Sequence, residues 1–121
     1  MLTKQTDTDK FGGTIIKYQL TQGDTFPMTL SLKDDEGTVI PQLMIERVWF
    51  TLGTDDRELV FSQDFEPIEN EKFKLLISSE ETMKWEADTK YFFEIKVKFT
   101  DDFLTTPPSY KSTLLVLPTN K

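Results

Sequence analysis

Seventeen threonines stand against a single alanine, Ala87, and that ratio decides the fold class. Alanine is the strongest helix former, whereas threonine, branched at Cβ, suits a pleated strand. Ten phenylalanines point the same way. The composition predicts an all-β chain.

Period-two alternation places the strands. Phe26, Met28, Leu30 and Leu32 fall on one face, with Pro27, Thr29, Ser31 and Lys33 on the other. Pro27 has no N–H for a ladder, so this strand lies at an edge or starts there. Tyr91, Phe93, Ile95, Val97 and Phe99 alternate with Phe92, Glu94, Lys96 and Lys98 in the strongest strand of the chain. Residues 14–20, 46–52 and 111–117 also read as strands, as do segments carrying Leu59 and Phe61 and carrying Phe73, Leu75 and Ile77. In the 46–52 strand, Val48, Phe50 and Leu52 oppose Trp49.

Punctuation comes from turn residues. Gln22-Gly23-Asp24, Asp34-Asp35-Glu36-Gly37 and Gly53-Thr54-Asp55-Asp56 are turn signals. The last joins strands 46–52 and 59–61 as a hairpin. Residues 38–45, broken by Pro41, read as a bent connection, and 66–71 as an acidic loop containing Pro67. Ser79-Glu80-Glu81-Thr82 reads as a serine-capped helix start with early acids, ending near Trp85.

Seven strands at this spacing predict an immunoglobulin-like antiparallel β-sandwich with one short helix. Phe26, Phe50, Phe61, Phe73, Phe93 and Val116 are expected to share its core. Residues 1–13 read as a flexible leader, 14–118 as one sandwich domain and 119–121 as a tail.

Charge and missing residue types narrow the function. Fourteen basic residues against 21 acidic ones give a formal net charge of −7. That charge opposes nucleic acid and anionic membrane as partners. Neither cysteine nor histidine occurs. Disulfides, thiolate or imidazole metal ligands and His-based triads are thereby removed. No nucleophile motif or phosphate loop is present, so no enzyme activity and no cofactor are expected. No apolar run approaches the roughly 20 residues of a membrane span. The polar start, without an apolar signal core, predicts a product made and kept in a cytoplasm.

Two groups of residues remain as candidates. Asp34, Asp35, Asp101 and Asp102 fall in turns, where aspartate bonds nearby backbone amides. If strands alternate in direction, both turns fall at one end of the sandwich, where a calcium ion could be shared. Trp49, Phe92 and Tyr110 lie off the apolar stripes or near loops and are candidates for an interface. Trp85 reads as part of a second apolar patch under the helix or leader. Trp49 and Trp85 are also the stacking platforms that a carbohydrate- or host-surface-binding module would use. Lys90, Lys96, Lys98 and Lys111 read as a solvated strip guarding strand edges.

Gln22-Gly23-Asp24-Thr25-Phe26-Pro27, an alternating strand and then Lys33-Asp34-Asp35-Glu36-Gly37 resemble the opening of the N-terminal domain of phage baseplate upper proteins. The likeness extends over residues 14–118, through the Ser/Glu helix, the Tyr91-led strand and the closing strand at Pro118. It implies a non-catalytic phage or prophage virion structural protein. It further implies assembly in the bacterial host cytoplasm, other virion structural proteins as partners, and a possible homo-oligomer.

Overall fold

A computed structural model describes residues 2–8, 14–56, 58–105 and 111–119. In chain order its elements are β1 Thr3–Thr8, β2 Thr14–Thr21, β3 Phe26–Ser31, a 3-10 turn at Gln42–Met44, β4 Ile45–Gly53, β5 Leu59–Asp64, β6 Glu66–Ile68, β7 Lys72–Ile77, α1 Ser79–Met83, β8 Thr89–Phe99, β9 Leu104–Thr105 and β10 Lys111–Leu117. The larger sheet is ordered β1-β2-β10-β8-β4-β5, with β9 also paired to β8; the smaller is β3-β7-β6. The chain is therefore an all-β, immunoglobulin-like sandwich with one short helix.

The two sheets meet through the inward residues of their strands. Burial alternates strictly in β7, where Phe73, Leu75 and Ile77 are buried between exposed neighbours. Phe26 from the smaller sheet reaches Phe50 and Phe93 of the larger one, with ring centroids 5.3 and 6.2 Å apart. Phe50 and Phe93 lie 5.3 Å apart. Each ring buried this way contributes about 1.5–3 kcal/mol by transfer from water. Tilted pairs add about 0.5–1.5 kcal/mol each. Of the six expected core residues, Phe26, Phe50, Phe73, Phe93 and Val116 are buried. Phe61 is half-buried and packs on Trp85 at 6.0 Å.

Three strands lie outside the expected seven. β1 occupies residues 3–8, read from sequence as part of a flexible leader, and pairs antiparallel with β2 from Thr3↔Gln19 to Thr8↔Thr14. Its sequence, TKQTDT, has no apolar alternation to reveal it. β6 lies within the expected acidic loop, and β9 follows the Asp101-Asp102 turn. One pair departs from the antiparallel pattern: β2 and β10 run parallel. β2 does not form a hairpin with β3, because the chain leaves it through the 22–25 turn for the other sheet.

The helix is capped one residue earlier than the sequence suggested. Ser78, not Ser79, is the N-cap, and its Oγ accepts from the Glu81 N–H at 3.2 Å. A buried hydroxyl ties α1 to the β2–β3 turn. Thr82 Oγ1 donates to the Asp24 carbonyl at 2.7 Å and accepts from the Gly23 N–H at 3.2 Å. Gln22 Nε2 donates to the Trp85 carbonyl at 2.6 Å. Trp85 is 1% exposed and donates from Nε1 to Glu81 Oε2 at 3.1 Å.

Candidate functional site

The outer face of the larger sheet carries the residues that packing leaves unused. Strand pairing lines them up in rows across β5, β4 and β8. Asp64, Trp49 and Lys96 form one row; Ser62, Thr51 and Glu94 form the next; Leu59, Gly53 and Phe92 form the third.

Two irregularities shape this face. In β4 the register shifts between Ile45 and Arg47. Ile45 and Val48 are both buried, while Glu46 and Arg47 between them face out. At the other end, Leu52 pairs with Phe61 but Gly53 pairs with Leu59. Val60 is thus an extra residue, and it moves Leu59 onto the outer face beside Gly53.

The third row forms a slot. Gly53 contributes only backbone to its floor, while Leu59 and Phe92 stand on either side at 65% and 40% exposure. Thr51, Leu52, Thr54, Asp55 and Glu94 complete the lining of a groove of about 570 Å³. A Cβ on Gly53 would lie 3.1 Å from the Glu58 carbonyl oxygen. The close approach of the β4–β5 loop therefore favours glycine here, and the same glycine keeps the slot open. Lys90 Nζ lies 5.6 Å from the centroid of the Phe92 ring.

At the opposite end of the face, Trp49 is covered. The Arg47 guanidinium lies 4.2 Å from its ring centroid. Arg47 is held there by Asp64: Nη2 donates to Oδ1 at 2.7 Å and Nε to Oδ2 at 3.0 Å. That hydrogen bonding raises the Arg47 pKa further above its ordinary value. Lys98 pairs with Glu46 at 2.8 Å and Asp102 at 3.5 Å, which raises its pKa. The expected lysine strip is thus interleaved with acids.

The sequence candidates divide accordingly. Phe92 is exposed and forms part of the slot; Trp49 is half-buried beneath Arg47; Tyr110 lies outside the described residues. Trp85 is core, so neither tryptophan presents an open stacking face, and the carbohydrate-binding reading loses both its platforms. Sequence reasoning missed Leu59, Gly53 and Arg47 as site residues. Gly53 read as turn punctuation, and no pattern in the chain announces the bulge at Val60.

The aspartates are not brought together as a metal site. No group of three or more Asp or Glu with ligand geometry occurs among the described residues. Asp34 Oδ1 accepts from the Glu36 and Thr38 N–H groups, both at 2.9 Å. Asp101 Oδ1 accepts from the Phe103 N–H at 3.0 Å, and Asp102 pairs with Lys98. Asp35 is exposed in its turn. Asp34 and Asp101 close their own turns, as aspartate commonly does.

No family model matches the chain, and no curated protein matches it. The fold is similar to the crystal structure of CopC from Methylosinus trichosporium OB3b. Identity is 12%, coverage is 78% of each chain, and the TM-score is 0.45. None of these findings supports a phage structural role, and the expected virion function is corrected on that ground. The residues that suggested it have local work instead. Gln22 and Gly23 anchor α1 to the 22–25 turn. Gly37 takes φ +84° to close the Asp34 turn, its N–H donating to the Asp34 carbonyl at 3.0 Å. Sandwiches of different function can share such turns.

Proposed function

We propose that the protein is a non-catalytic protein-recognition module that works through the outer face of its larger sheet. The observation that supports this is the slot between Leu59 and Phe92, whose floor Gly53 leaves empty. Two large apolar side chains held in water at fixed spacing on a rigid sheet suit the anchoring of an apolar side chain from a partner. The sheet supplies preorganisation, so little ordering is needed on binding. The groove is open to water, and the chain has no histidine or cysteine to pair with its Thr51, Thr54, Asp55 and Glu94 side chains.

Panning a display library of short random peptides against the immobilised protein tests the reading. Enriched sequences that bind wild type and are lost with Phe92→Ser or Leu59→Ser support it. Both residues are exposed, so these variants keep the core, and unchanged melting verifies that. Enrichment no greater than for an unrelated β-sandwich overturns the reading, as does binding that is indifferent to both variants.

A further inference from the structure

Two charges of opposite sign stand at the same end of the slot. Lys90 lies two residues before Phe92 on β8, so both side chains leave the same face. Asp55 lies two residues after Gly53 and lines the slot. Both Lys90 and Asp55 are exposed. Lys90 meets the Phe92 ring, and neither residue belongs to an ion pair among the described residues. The other charges across β5, β4 and β8 cancel in pairs: Arg47 with Asp64, Lys96 with Glu94, and Lys98 with Glu46. The acidic excess of the chain therefore does not sit on this face.

The two signs select the occupant. A basic segment in the slot answers Asp55 and meets Lys90. An acidic one answers Lys90 and meets Asp55. A fitting partner carries both signs in the reverse order across the slot, with a large apolar side chain beside the positive one. A second copy of this same face, turned about a two-fold axis along the strands, carries all three.

The strand register shows how the copies meet. With the axis between β4 and β8, β8 of each copy faces β4 of the other. Gly53 pairs with Phe92 within the sheet, so Phe92 of one copy comes to stand over Gly53 of the other. It enters the gap between Leu59 and Phe92 that the glycine leaves. Lys90, two residues along, comes to stand over the end of β4, where Asp55 follows. A two-fold axis makes every such contact twice. Sheets packed face to face cross at about 30°, and that angle opens the far end, where Arg47 covers Trp49.

Resting on the recognition reading above, we infer that the partner is a second copy of this chain. The two larger sheets pack face to face, with Phe92 of each copy in the Leu59–Phe92 slot of the other and Lys90 of each copy paired with Asp55 of the other.

The test is light scattering on the full chain at rising concentration, with Lys90→Glu, Asp55→Lys and Phe92→Ser as variants. All three positions are exposed, and unchanged melting verifies that the fold is kept. The expected result is a reversible dimer that each variant weakens at least about tenfold, a difference of about 1.4 kcal/mol. An equal mixture of Lys90→Glu and Asp55→Lys is expected to dimerise again, because each copy then offers the charge the other lacks at both contacts.

A chain that stays monomeric at millimolar concentration overturns the inference. Library enrichment on that monomer leaves the recognition reading standing without the second copy, and no enrichment removes both. A dimer indifferent to the three variants overturns face-to-face packing; new amide protection along residues 59–62 would then place the contact at the β5 edge. Variants that each weaken the dimer but fail to restore it when mixed overturn the Lys90–Asp55 pairing.

Discussion

The Arg47 guanidinium lies 4.2 Å from the centroid of the Trp49 ring and is held there by two hydrogen-bonded contacts with Asp64. Three residues on adjacent strands thus form a stack and a clamp on one sheet face. Arg47 and Trp49 share the outer face because they stand two residues apart in regular pairing, and the register shift before them leaves Ile45 buried as well as Val48. Cation–π contact and the carboxylate fork both suit arginine better than lysine.

Removing that cover exposes one tryptophan selectively. Trp85 is 1% exposed and unaffected, so added quenching reports on Trp49. In Arg47→Ala, acrylamide quenching of tryptophan fluorescence is expected to rise clearly, with the melting temperature little changed. Arg47→Lys is expected to fall between, since lysine lacks the planar fork. Quenching identical to wild type would show that the guanidinium does not shield the ring.

The Thr82 hydroxyl carries a larger share of stability than its size suggests. It is fully buried and joins α1 to the turn between the two sheets through Asp24 and Gly23. Thr82→Val keeps the shape but takes the acceptor from the Gly23 N–H and the donor from the Asp24 carbonyl. A buried group deprived of its partner costs about 1–3 kcal/mol. Urea unfolding should show that loss as a lower midpoint with unchanged slope, and Thr82→Ser should recover most of it. A valine variant as stable as wild type would mean the hydroxyl contributes nothing net.

Much of the sandwich was legible because burial follows the alternation. The inward positions of β4, β7 and β8 are the apolar positions of a period-two pattern. The Pro27 argument also succeeds, since β3 is an edge strand. What escaped depends on non-local pairing. β1 has no apolar stripe of its own and is defined by its pairing with β2. The slot depends on one unpaired residue, Val60, which changes the face that Leu59 occupies. Exposed aromatics were a sound guide only in part: Phe92 stands open, while Arg47 covers Trp49. Adjacent-strand geometry, invisible in linear order, decides between those outcomes.

Two turn glycines separate backbone strain from crowding. Gly37 has φ +84° and open space where a Cβ would stand, whereas Gly23 has φ +85° and would place a Cβ 2.7 Å from Met83 Cε. Gly37→Ala therefore isolates the left-handed penalty, about 1 kcal/mol. Gly23→Ala adds displacement of a flexible methionine end and so costs more, but only modestly. In chemical denaturation both variants should be destabilised, Gly23→Ala further. In Gly23→Ala combined with Met83→Ala, the excess should shrink. An excess that persists in the double variant would place the strain in the backbone instead.

Alkaline stability depends on Tyr18. Its ring packs 5.3 Å from Phe93, and burial raises its phenol pKa above the ordinary value near 10. In the unfolded chain the phenol ionises first, so the unfolded state binds fewer protons above about pH 10. Stability is then fully present below the ordinary tyrosine pKa and is lost as pH rises through the folded value. Lys98, raised by its bond to Glu46, acts in the same sense near its own range. High salt screens that exposed pair and leaves the half-buried phenol as the principal difference. In high salt, Tyr18→Phe should flatten the fall in unfolding free energy above pH 10 while keeping the ring contact. Parallel curves for the two proteins would show that Tyr18 ionises as readily in the fold as in the unfolded chain.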